Sequence, residues 1–328
     1  MAGRFIHLHT HSHYSFLQAL PKVPELVKAT RAHSMDALAL TDAGNMHGAI
    51  EFYKAGEKAG INAILGVDAY LAPGARAEVG HTEPGGRTRL VLLAENNTGY
   101  QNLMALITQS FTEGFSERPH MDRELLKEHG GGLIALIPSF AGTVAQHLKQ
   151  GDPKGARAAL AEYVSIFGKE NVFLEITRHP KVSGHEKRMQ EIIAISEESG
   201  VPLVAQNDVY YLKPDDREAT EIMRRIAHGN VSPNEDEDFS FLSETQMLAL
   251  FPDQKEAVLR SGLIADRCKV TLSLGSWNFP AVDVDFGKTH EDMLRERTSA
   301  GLSMRGMERT KEVEDRIEYE LKVIISKG

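Results

Sequence analysis

Four histidines alternate along one short segment, Phe5-Ile6-His7-Leu8-His9-Thr10-His11-Ser12-His13. In an extended chain side chains repeat every two residues, so the four imidazoles share a face and neighbours can ligate one metal ion. One ion cannot use four in-line histidines. His9 and His11 are therefore the candidate ligands, and His7 and His13 are polar groups at a strand exit. Asp42 follows the apolar run Leu38-Ala39-Leu40-Thr41 and precedes Gly44. A carboxylate there serves as ligand or general base, or it caps the turn, and both roles stay open. Asp68 stands inside the apolar run Ala63–Leu71, where an acid is costly unless it is paired or bound to a cation. His179 and Asp208 each fall just past an apolar run, in Glu175-Ile176-Thr177-Arg178-His179 and Ala205-Gln206-Asn207-Asp208. Groups of these types at successive strand ends converge on one rim.

The elements that must carry them alternate. Short apolar runs at Arg4–His9, Asp36–Thr41, Ala63–Leu71, Arg89–Ala94, Gly132–Ile137, Asn171–Ile176 and Pro202–Gln206 read as seven strands. Helical periodicity fills Pro24–His33, Met46–Ala59, Asn97–Gln109, Gly155–Phe167 and His185–Ser199 between them. Pro24 fits a first helical turn, and Gly60 and Gly200 fit helix ends. Strand–helix alternation predicts a parallel sheet, and seven strands permit a closed barrel with side chains for chemistry at the strands' C-terminal ends.

Past Leu212 the alternation stops. Asp215–His228, Glu244–Phe251 and Gln254–Cys268 read as helices, with a polar acidic loop at Ser232–Asp238. A Pro/Gly-bearing connector, Gly275–Gly287, leads to helices near Glu291–Met304 and Glu308–Ser326. Val313, Ile317, Leu321 and Ile324 form a stripe on the last helix that requires a partner surface.

The chain of 328 residues carries 37 Lys plus Arg against 46 Asp plus Glu, a formal charge of −9, so strong DNA binding by this chain is not expected. Cys268, the one cysteine, excludes an internal disulfide or a multi-cysteine metal site and points to a cytoplasmic setting. No apolar run reaches the roughly 18 residues of a membrane span. Gly287-Lys288-Thr289 fails as a phosphate loop, because Val282 occupies the first glycine position. His33, His120, His147, His185, His228 and His290 are expected at the surface.

Phe5–Ser15, Thr41–Tyr53, Ile64–Pro73, Leu90–Leu103, Leu174–Pro180 and Asn207–Leu212 together resemble the polymerase-and-histidinol-phosphatase (PHP) domain. The form they resemble opens the alpha subunits of bacterial DNA polymerase III. Ala265–Gly275 and Lys311–Gly328 resemble the start of the polymerase region in those subunits. The resemblance implies an α/β fold, a distorted seven-stranded (β/α) barrel with a C-terminal helical extension. It implies a PHP barrel over 1–270, a connector over 271–288 and the helical beginning of a polymerase region over 289–328, a fragment that stops short of the polymerase's catalytic aspartates.

Metal-competent members of the family hold up to three cations on about nine ligands. Carried onto matching positions, His9, His11, Asp42, His179 and Asp208 keep ligand types, and Asp68 replaces a glutamate. Gln18, Ala43, Arg89 and Tyr210 stand where ligands are expected. Lost ligands lower affinity and geometric definition, and a fixed guanidinium repels a cation by roughly 4 kcal/mol at 4 Å and an effective dielectric of about 20. The resemblance thus implies a degenerate site with no tightly bound cofactor, or one residual Zn, Mn or Mg ion. It implies a module that supports the polymerase region and docks a proofreading exonuclease subunit. An active metal-dependent phosphoesterase, a 3′–5′ exonuclease or a phosphatase, is the alternative.

Overall fold

The computed structural model describes residues 3–78, 88–228, 237–277 and 282–327. The chain divides into two compact units, Met1–Thr271 and Leu272–Gly328.

In the first unit, β1 (Ala37–Leu40), β2 (Asn62–Leu71), β3 (Thr88–Ala94), β4 (His120–Met121), β5 (Leu133–Ile137), β6 (Val172–Ile176) and β7 (Leu203–Ala205) form one sheet. Its order is β1-β2-β3-β5-β6-β7, with β4 against β2. Helix α1 (Val23–Ala32) precedes β1, and α2 (Ala49–Ala59), α3 (Asn97–Thr112), α4 (Arg123–His129), α5 (Thr143–Lys149), α6 (Pro153–Phe167) and α7 (His185–Ser199) fall between strands. The strands are buried almost throughout, as helix-covered strands must be. Gly60 and Gly200 end α2 and α7 in the left-handed conformation, each with φ 66°, and Pro24 lies in the first turn of α1.

The sheet is mixed, not parallel as the alternation predicts. β3 runs antiparallel to both β2 and β5. The described part of the β2–β3 connection contains one short turn, Arg76–Glu78, and no crossover helix, so the chain reverses as in a hairpin. The resulting register sets Arg89 opposite Tyr70, two residues along from Asp68 on the same face.

The segment expected as the first strand is extended but is not a regular ladder strand. His7 and Thr10 carbonyls accept from Ala39 and Thr41 of the β1 edge, while Val209 N–H donates to His9 and His11 N–H to Val209 beyond β7. The segment thus spans both edges and closes the distorted barrel. Side chains supply its remaining bonds. Ser261 Oγ accepts from Ile6 N–H at 2.9 Å, Gln206 accepts from Leu8 N–H at 2.8 Å and donates to the Ile6 carbonyl at 3.2 Å, and Thr41 Oγ accepts from Thr10 N–H at 2.9 Å. The seventh strand is β4, which the hydrophobic pattern does not reveal because it is two residues long.

Two of the histidines expected at the surface, His120 on β4 and His185 at the start of α7, are buried. His185 packs its ring 4.6 Å from Phe140 and bonds Thr177, contacts that draw it into the interior. The side chain of His228 lies outside the described residues. After β7 come α8 (Arg217–His228), α9 (Glu244–Leu250) and α10 (Lys255–Arg267), whose end leaves Cys268 buried with its thiol pushed up to about 12 by desolvation. Of the acidic loop at Ser232–Asp238, residues 232–236 lie outside the described residues.

The second unit contains α11 (His290–Met304) and α12 (Lys311–Ile325), bridged by Arg295 and Glu318 at 2.7 Å. Along the predicted stripe of α12 only Leu321 is buried, and Ile324 is exposed. Residues 278–281 of the connector lie outside the described residues. Among the described residues no helix is long and apolar enough to cross a membrane.

Closure of the barrel through Gln206 is testable. Gln206→Ala orphans the buried Leu8 N–H and Ile6 carbonyl, each costing roughly 1–3 kcal/mol. Urea denaturation should show that loss, and a change below about 0.5 kcal/mol would contradict this account of the closing segment.

Candidate functional site

His9, His11 and Asp208 converge where the closing segment meets the chain beyond β7. Their ligand atoms lie within 4.8 Å of one another. Both Nε2 atoms stand 3.2 Å from the same oxygen, Asp208 Oδ1. Asp208 reaches that position from a left-handed backbone, φ 51°, which Asp tolerates better than most residues but at some cost. Asp68 Oδ2 completes the group, 3.3 Å from His9 Nε2 and 3.6 Å from His11 Nε2. The same oxygen accepts a hydrogen bond from the Arg89 guanidinium. Asp68 and Arg89 meet because the antiparallel register places them diagonally on one face.

Hydrogen-bond bookkeeping orients both rings. His9 Nδ1 lies 2.8 Å from Glu175 Oε2, and a carboxylate only accepts, so Nδ1 carries the proton. His11 Nδ1 lies 3.0 Å from Ser15 Oγ. Ser15 gives its single proton to Asp42 at 2.6 Å and also accepts from Ala43 N–H, so His11 Nδ1 donates as well. Both Nε2 atoms therefore face the acids.

Three buried carboxylates, Asp68, Glu175 and Asp208, share one guanidinium, which leaves positive charge to be supplied at the two Nε2 atoms, as protons or as one divalent cation. Burial opposes charge on His9, yet Asp208, Glu175 and Asp68 outweigh it and hold the imidazole well above its usual range. Desolvation likewise opposes ionisation of Asp208 and Asp68, but His9, His11 and Arg89 hold both carboxyls below theirs. Arg89, also desolvated, is kept firmly protonated chiefly by Asp68.

The remaining candidates do other work. Asp42 accepts from Ser12 N–H at 2.7 Å, Ser12 Oγ at 2.8 Å and Ser15 Oγ, the bonds a turn-capping role requires. Ala43 offers no side-chain donor. Gln18 donates to Tyr70 Oη at 3.3 Å. Tyr210 stacks on His11 at 4.4 Å, and burial with Asp208 nearby raises its phenol well above the usual range, so it stays neutral. His179 packs against Phe239 at 4.4 Å and Phe140 at 5.1 Å, with neither ring nitrogen hydrogen-bonded. Burial and His185 push it down to about 3, and Glu237 Oε2 stands 3.4 Å from its Nδ1. His7 is buried with Nε2 on the Leu242 carbonyl, and His13 is exposed.

The reading from sequence missed Glu175 and Ser15. Glu175 carries the signal that exposed Asp68, an acid within the apolar strand β6. Ser15 carries none, because a serine in a loop is ordinary.

Ligand atoms bound at about 2.0–2.1 Å to one tetrahedral ion lie roughly 3.3 Å apart, close to the spacings around Asp208 Oδ1. His9, His11 and Asp208 could hold one cation there. Beside them Arg89 donates to Asp68 Oδ2, while Asp68 Oδ1 and both ring nitrogens of His179 are buried without a hydrogen-bond partner.

A distorted (β/α) barrel with paired histidines on its closing segment and acids at its rim is the architecture of a PHP domain. The chain belongs to that family, whose profile matches residues 7–179. Its relatives include proteins named DNA polymerase III subunit alpha. The Treponema pallidum protein is 35% identical over 329 residues, covering 98% of this chain and 28% of that protein. The Borreliella burgdorferi protein is 33% identical over 339 residues, with 99% and 29% covered, and that of Escherichia coli is 35% identical over 342 residues, with 99% and 29% covered. The chain thus spans less than a third of the length of these relatives.

Breaking the buried Arg89–Asp68 pair should be expensive. Arg89→Met leaves Asp68 uncompensated and should cost about 3–5 kcal/mol in urea denaturation, and adding Asp68→Asn should recover most of it. Equal stabilities of wild type and Arg89→Met would remove Arg89 from this role.

Proposed function

We propose that this chain is the N-terminal PHP region of a bacterial replicative polymerase alpha subunit, a non-catalytic cytoplasmic module. In this reading it supports the polymerase region of the same subunit and docks a separate proofreading exonuclease subunit. The observation that carries it is the Arg89 guanidinium on Asp68, with Ala43, Gln18 and Tyr210 around the same rim. A hydrolytic PHP site needs several cations to activate water and to stabilise both oxygens of a displacement. Here His9, His11 and Asp208 converge as one candidate ligand group, and a fixed positive charge stands beside it. The barrel extends over 1–270, the connector over 271–288, and residues 289–328 begin the polymerase region, to which the part-exposed stripe of α12 belongs. The acidic net charge suits protein contacts better than a grip on DNA.

A second reading, a metal-dependent phosphoesterase, draws on the convergence of His9, His11 and Asp208. An ion there would supply Lewis acidity and a more acidic water. His9 and His11 would hold it, Asp208 would balance its charge, and Tyr210 would screen one side of His11.

Labelled single-stranded DNA incubated with the protein and Mn²⁺, Zn²⁺ or Mg²⁺ separates the two. The expected result is no cleavage above that of a His9→Ala/Asp208→Ala control. Cleavage that the double variant abolishes would establish the phosphoesterase instead.

A further inference from the structure

Two residues outside the ligand set decide how the histidines can be used. Glu175 accepts the Nδ1 proton of His9 and Ser15 that of His11, and all four side chains are buried. Ser15 is constrained in turn. Its proton goes to Asp42, and Ala43 N–H takes one of its two lone pairs, so Oγ has one acceptor position left, which His11 Nδ1 uses. Asp42 is locked by Ser12 from both backbone and side chain. Rotating Ser15 would break bonds to Asp42 and Ala43 together.

We infer that Ser15 and Glu175 are positioning residues. By holding the Nδ1 protons of His11 and His9, they present two Nε2 atoms with Asp208 as a preset site for a single divalent cation. Asp42 thereby acts through Ser15, as the anchor of a chain Asp42–Ser15–His11. Glu175 does the same for His9 from β6, so each ring has its own partner on Nδ1. Without these partners each imidazole is free to carry its proton on Nε2, which would block the site. The left-handed φ of Asp208 agrees, since the backbone there adopts an uncommon conformation that places Oδ1 3.2 Å from both Nε2 atoms. This inference is independent of whether the chain cleaves DNA.

The test is Co²⁺ titration of the full chain after chelator dialysis, followed by calorimetry and visible absorption. Wild type should take one Co²⁺ per chain. Ser15→Ala and Glu175→Ala should bind about 10–100-fold more weakly. Glu175→Gln and Ser15→Thr, which keep an acceptor oxygen, should recover most of the affinity. In Zn²⁺-loaded protein, ¹⁵N spectra should place the proton on Nδ1 of both rings. Should Ser15→Ala fail to fold, the contrast of Glu175→Ala with Glu175→Gln decides. Absence of Co²⁺ binding by wild type would overturn the proposal while leaving the non-catalytic reading intact. So would equal affinity in all variants, or an Nε2 proton in the loaded form.

Discussion

Carboxylates taken out of water must find positive charge, and this barrel is arranged around that demand. Asp68, Glu175 and Asp208 are buried around His9, each with an oxygen within 3.3 Å of one of its ring nitrogens. Left uncompensated, each would cost several kcal/mol, comparable to the whole stability of a domain. Arg89 answers part of it from β3, and the imidazoles of His9 and His11 answer the rest. The cluster is therefore a structural element at the barrel's rim that also gathers groups able to ligate a cation.

The way the chain closes serves this arrangement. A regular strand at residues 5–11 would take all its hydrogen bonds from neighbouring backbone. The observed segment instead borrows from Ser261, Gln206 and Thr41, side chains whose reach adjusts to a gap between two sheet edges. That irregularity sets His9 and His11 between β1 and the turn after β7. The reversal of β3 has a matching effect, because a parallel β3 would give Arg89 a different register against Asp68.

Much of this was legible. The alternating histidines, the acid inside β2 and the acid after β7 each violate local hydrophobic patterning, and residues that violate it without an evident structural reason gather at functional sites. The same logic applied to Glu175 would have found it. Other features left no trace. His179 has a ligand's residue type and position after a strand, and nothing in the pattern marks Phe140 and Phe239 as its neighbours. His185 falls in a polar helical stretch that nothing in its periodicity marks as buried. Asp42 had two equally good roles until Ser12 and Ser15 came within hydrogen-bond distance.

Composition and spacing alone determined the barrel class, the helices between strands and the residue types able to bind a cation, since periodicity and burial cost act locally along the chain. Tertiary structure decided strand direction at β3, the partner of Asp68, the tautomer of His9 and the acids that face His11. Those depend on atoms separated by tens to nearly two hundred positions coming within about 3 Å, the range over which a hydrogen bond or a shared ion acts.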